Sequence, residues 1–132
     1  MLASEPILNV QQQLFVRPLS LWQPTVKEQE GRAIRPFVAG HRVLSSGPAI
    51  VYFAHGQYFP LPAEDIESVV AFARHRQVPF LVLQSARDST DRPAMRPLMH
   101  GIGGYPVTLL LHQGEVWLYV IDGVNVGEDE RF

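Results

Sequence analysis

Residues 80–84 (FLVLQ) form a short apolar run, and residues 49–54 (AIVYFA) form another. Runs this short, rich in β-branched and aromatic side chains, predict buried strands. Between them Ile66, Val69, Val70 and Ala73 recur at helical spacing, predicting a helix over 63–77. Pro62 lies near its start, Glu64 and Asp65 in its first turn, and Arg74 and Arg76 in its last, an order that suits the helix dipole. Two buried strands joined by a helix predict a parallel βαβ unit. Residues 107–111 (VTLLL) and 116–121 (VWLYVI) predict two further strands. The gap between them, His112-Gln113-Gly114-Glu115, predicts an antiparallel hairpin.

The remaining segments are less regular. Residues 1–13 read as an irregular arm, and 14–22 (LFVRPLSLW) as a first strand whose Pro18 suits an edge or a bulge. Residues 23–30 are polar and expected in solvent. A short helix is expected within 33–43, against the breakers Pro36 and Gly40. Residues 45–48 (SSGP) read as a turn and 85–91 as a polar loop. Residues 92–100 read as a short helix disturbed by Pro97 and ended by Gly101. The tail, 124–132, is polar and a poor helix former. From residue 49 the order is β-α-β-α-β-β, an α/β domain with a mixed sheet and flanking helices. The domain divides into an N-terminal region, 1–45, a core, 46–123, and the tail.

Composition narrows the chemistry. The chain has 132 residues, 46% of them hydrophobic, enough for one domain with a real core. Only 18% are charged and the net charge is −2, so the basic footprint of a nucleic-acid binder is missing. There is no cysteine, which excludes disulfides, thiolate catalysis and cysteine-ligated metal. No run reaches the roughly 18 apolar residues of a membrane helix. The first residues lack the charged and apolar regions of a signal peptide. A soluble, cytoplasmic protein is expected, with no membrane and no nucleic-acid partner.

The five histidines are scattered, with no HExxH and no close pair. His55 draws attention because it precedes the loop into the 63–77 helix. The tract Gly101-Ile102-Gly103-Gly104 lacks the third glycine of a dinucleotide loop and leads into a strand, so it reads as a turn. Ser45-Ser46 has no GxSxG elbow around it. Asp88, Asp91, Glu128, Asp129 and Glu130 show no EF-hand spacing and read as solvated loop carboxylates. No metal and no cofactor is expected.

The tract 100–116, HGIGGYPVTLLLHQGEV, follows a short helix with a glycine turn, a proline, a strand and a glycine-containing hairpin. This order resembles the thioredoxin-like superfamily, over roughly residues 48–123. The resemblance implies a thioredoxin-like mixed sheet with an atypical N-terminal extension and no C-terminal helix. It implies that Pro106 is the family's cis-proline. Aligning Phe53 and Pro60 then places Tyr58-Phe59-Pro60-Leu61 on the family's redox motif, two cysteines separated by two residues. Tyr58 and Leu61 stand where the cysteines would be, and Tyr52 where the family's buried acid would be. Disulfide exchange needs a thiolate, which a phenol with a pKa near 10 does not replace.

A redox-inactive, non-enzymatic module is therefore expected, serving protein interaction or structure, with another protein or its own oligomer as partner. A larger assembly such as a virus particle fits that expectation. In the thioredoxin arrangement the motif loop and the cis-proline loop lie side by side. The expected binding residues are thus His55, Tyr58, Phe59 and Pro60 on one loop and Gly104, Tyr105 and Pro106 on the other. The alternative is a small non-redox enzyme or ligand binder that uses His55 and the Tyr58 hydroxyl in the same groove.

Overall fold

A computed structural model describes residues 25–126. The expected arm at 1–13 and strand at 14–22 lie outside the described residues, as does the tail beyond 126.

The first helix, α1 (Val26–Val38), begins in a reciprocal cap. The Thr25 hydroxyl accepts from the Glu28 backbone N–H at 3.1 Å, and a Glu28 carboxylate oxygen accepts from the Thr25 N–H at 3.0 Å. The polar stretch expected in solvent is thus the first half of this helix. A four-residue strand, β1 (Arg42–Ser45), follows where the end of a helix was expected.

Residues 49–54, expected as a strand, belong instead to a short helix, α2 (Pro48–Phe53). Gly47 is its N-cap and Pro48 its first residue, where proline's missing N–H and fixed φ fit a helix. Its burial has helical spacing: Ile50, Val51 and Ala54 are buried, while Tyr52 is 73% exposed. In a strand, Tyr52 would share a face with Ile50 and Ala54. Arg35 of α1 donates two hydrogen bonds to the Phe53 carbonyl at the end of α2. Gly31 lets the two helices touch, because a Cβ there would lie 2.4 Å from the Phe53 Cβ.

The stretch expected to be a motif loop is a strand, β2 (Gln57–Pro60). Then comes α3 (Ile66–Arg76), shorter than its expected 63–77 span but with the expected face: Ile66, Val69, Val70 and Ala73 are all buried. Asp65 caps it by accepting from the Ser68 N–H at 2.8 Å. The strand β3 (Phe80–Gln84) matches its expected span, and all five residues are buried. The expected loop at 85–91 is a helix, α4 (Ser85–Asp91), and a 3₁₀ turn at Pro93–Met95 leads into α5 (Arg96–Met99). The hairpin is present, with β4 (Val107–Gln113) antiparallel to β5 (Val116–Ile121).

These strands make one mixed five-stranded sheet among the described residues, in the order β2-β1-β3-β5-β4. β1 pairs in parallel with both β2 and β3, and β5 runs antiparallel to β3 and β4. The helix α3 thus joins β2 to β3 across β1, rather than linking two adjacent strands. Each face has its own core. Ile34, Val38, Ile50 and Val51 of α1 and α2 pack on Val43, Phe80 and Val82. Ile66, Val69, Val70 and Ala73 of α3 pack on Leu44, Leu81 and Leu83. Alternate residues of β1 and β3 therefore serve opposite faces.

Candidate functional site: the two edges of the sheet

The expected binding residues divide between the two borders. On the β2 side, His55 sits in the turn after α2 with φ 61° and an exposed side chain. Its carbonyl accepts from the Gly40 N–H at 2.8 Å. Tyr58 is 39% exposed and Pro60 is exposed. Phe59 is half-buried against the α3-side core, with the Arg42 guanidinium 5.8 Å from its ring centre. Tyr52, aligned with a buried acid, points to solvent.

Gly104, Tyr105 and Pro106 lead into β4 at the other border. Gly104 is exposed with φ 93°, and Tyr105 is half-buried against the α3-side core. The bond before Pro106 is trans, because no described peptide bond is cis; the expected cis-proline is not there. The Pro106 carbonyl accepts from the Asp122 N–H at 3.0 Å, fixing it beside the end of β5. β1, β3 and β5 separate β2 from β4. Four strand spacings of about 4.8 Å make this roughly 19 Å. The two halves of the expected groove therefore do not lie side by side.

A different surface is formed at β4. A hollow of about 210 Å³ is floored by Val107, Leu109, Trp117 and Tyr119 and walled by Leu98 and the glycine turn 101–104. Its polar atoms are engaged elsewhere. The Trp117 indole N–H donates to the Ser85 hydroxyl at 2.9 Å, and the Tyr119 hydroxyl donates to the Leu98 carbonyl at 2.8 Å. Burial pushes the Tyr119 phenol up to about 12. His112 stacks on Trp117, with ring centres 3.5 Å apart. The floor is thus an aromatic and aliphatic surface with no acid–base pair on it. Of its lining, Ile102 is 54% and Leu109 47% exposed, and Leu110 beside it is 38% exposed. A register shift between Leu109 and Leu111 leaves Leu110 without a partner on β5.

The expected role of Asp88 as a solvated carboxylate is also corrected. Ser45, Gln84 and Asp88 are the buried polar side chains among the described residues, and all lie at or just beyond the carboxyl ends of β1 and β3. One Asp88 oxygen accepts from the Gln84 N–H at 2.7 Å, and the Gln84 amide donates to Glu30 at 3.1 Å. This cluster ties α4 to the sheet and to α1. Nothing in the sequence pattern of 85–91 marked it, because the burial of Asp88 depends on a helix that its polar composition conceals. Among the described residues no three His, Cys, Asp or Glu side chains are grouped to hold a metal ion. None of the described helices is long and apolar enough to cross a membrane.

Comparison of the chain with family models, with curated proteins and with solved structures gives no match.

Proposed function

We propose that this domain is a redox-inactive protein-interaction module that receives an extended apolar segment of a partner along the β4 edge. The observation that carries the proposal is β4 itself: a seven-residue border strand, free of charge and proline, with Leu109 and Leu110 exposed. Such an edge, unpaired among the described residues, offers a row of backbone donors and acceptors to an added strand. The adjoining hollow supplies apolar floor for alternate side chains of that strand. Gly104 and Tyr105 belong to this surface. His55, Tyr58, Phe59 and Pro60 belong to the opposite border.

Kinship with thioredoxin-like domains is part of the proposal and rests on the tract 100–116, where a glycine turn and a hairpin follow a short helix in the family's order. The helix at 48–53 and the trans Pro106 weigh against it. Participation in a larger assembly, a virus particle among them, fits the same reading. A second reading, a small apolar ligand, draws on the hollow, but the floor lacks the convergent polar groups that orient small ligands.

The test is site-specific photo-crosslinking of the full chain in its native cells. A photoreactive residue at Leu110 is expected to give one defined adduct, and the same residue at Tyr58 none. Equal adducts from both positions, or none from Leu110, would overturn the proposal.

A further inference from the structure

The order of faces along β4 points to the strand that this edge fits. Val107, Leu109 and His112 lie on the α3 side of the sheet, because they pair with Ile121, Tyr119 and Trp117, which form or pack on that core. Thr108 and Leu111 lie on the α1 side, opposite Val120 and Leu118. In an unbroken strand, residues three apart point to opposite faces. The extra residue at Leu110 removes that difference between Thr108 and Leu111. From the point between Leu109 and Leu110, β4 therefore matches in both directions: Thr108 shares a face with Leu111, and Val107 with His112.

A strand of this kind fits an antiparallel copy of itself. A two-fold axis perpendicular to the sheet sets each residue opposite one of the same face. With the axis between Leu109 and Leu110, Leu109 meets Leu110 of the second copy, Thr108 meets Leu111, and Val107 meets His112. Leu109 and Leu110 are the two most exposed apolar side chains of β4, so this axis puts them at the centre of the contact. Charge permits the pairing. Residues 107–113 hold no Asp, Glu, Lys or Arg, whereas like charges facing each other across an axis would oppose it. The two hollows then fall on one face of the joined sheet, each lined in part by its exposed Ile102.

We propose that the partner at the β4 edge is a second copy of this chain, paired β4 to β4 about this axis, so that two five-stranded sheets become one of ten strands. The inference rests on the reading of β4 as a docking edge and names its occupant.

Light scattering on the full chain reads the stoichiometry. The mass is expected to double as concentration rises. Leu110→Lys is expected to raise the midpoint of that transition at least about tenfold, with an unchanged circular dichroism spectrum. A single-chain mass at every concentration would overturn the proposal, as would a doubling that Leu110→Lys leaves untouched. Cysteine pairing reads the register, and it stands if Leu110→Lys does not fold. The chain has no cysteine of its own. Thr108→Cys and Leu111→Cys chains, mixed and oxidised, should join through an intermolecular disulfide, since directly opposed residues lie about 4.5–5.5 Å apart. Thr108→Cys alone should not join. Its two copies would lie three residues apart along the strands, about 10 Å, beyond a disulfide's reach of about 7 Å. No disulfide from the mixture, or as much from Thr108→Cys alone, would overturn the proposal. A single-chain mass together with a Leu110 photo-adduct to a different protein overturns the second copy and leaves the docking edge standing. No adduct of any kind from Leu110 removes both.

Discussion

At one border of the sheet runs β2, four residues long; at the other runs β4, seven residues long. β2 ends in Pro60, its Phe59 packs inward beneath Arg42, and the next residue, Leu61, is buried in the core. Its backbone is tied down as well: the Leu61 N–H donates to the Ser45 carbonyl at 2.9 Å, and Arg92 donates twice to the Leu61 carbonyl. β4 has apolar side chains in solvent and a bulge at Leu110, and from Val107 to Leu111 it has neither proline nor charge. Short length and proline protect an edge against pairing, whereas a long uncharged strand invites it. The difference teaches that a tyrosine exposed beside a proline is weaker evidence of a docking site than a border strand, unpaired on one side among the described residues, whose own sequence does nothing to discourage pairing.

Substitutions can break this contrast. Leu61→Ala removes a fully buried side chain and should cost about 2–4 kcal/mol in urea unfolding. Leu109→Ala, at a side chain 47% exposed, should cost no more than about 1 kcal/mol. Equal losses would mean that β4 is as firmly integrated as β2. Next in size, Tyr119→Phe removes a buried hydrogen bond beneath the β4 hollow and should cost about 1 kcal/mol. The same phenol has a pH signature. Its pKa is raised in the fold from 10.0 to about 12, so its neutral form is favoured by folding. Stability is complete below pH 10 and falls as pH rises toward 12, and Tyr119→Phe should flatten that fall. Leu110→Lys should leave unfolding within about 0.5 kcal/mol of the original while abolishing partner docking, since a cation on the edge discourages strand addition. The smallest effect belongs to Asp65, whose carboxyl the Ser68 backbone N–H holds below its usual value of 3.8. Its contribution is complete above that value and is lost as pH falls below it, so Asp65→Ala should show a shallower acid transition.

Much of the core was legible. Ile66, Val69, Val70 and Ala73 announced α3, FLVLQ announced β3, and the Gly114 turn announced the hairpin. These elements have periods and turn residues that admit one reading. The segment 49–54 did not, because six apolar and aromatic residues fit a buried strand and a buried helix equally well by pattern. Pro48 after Gly47 was the available cue. The T-x-x-E of Thr25 and Glu28 likewise marked the start of α1 within a stretch whose polarity suggested solvent. β1 was hidden by its shortness. The candidate site was legible only in part. Gly104 and Tyr105 lie on the surface now favoured, but Leu109, Leu110 and Trp117 were read as ordinary hairpin residues. Their exposure follows from β4 being the border strand, and strand order is a long-range property that local pattern does not encode.

The central claim is that docking occurs by strand addition at β4. Its most direct test is hydrogen exchange on the complex purified through the Leu110 adduct, compared with the free chain. Slowing confined to the β4 amides that do not bond to β5, with β2 unchanged, is the predicted result. Slowing at β2, or none at β4, would contradict it.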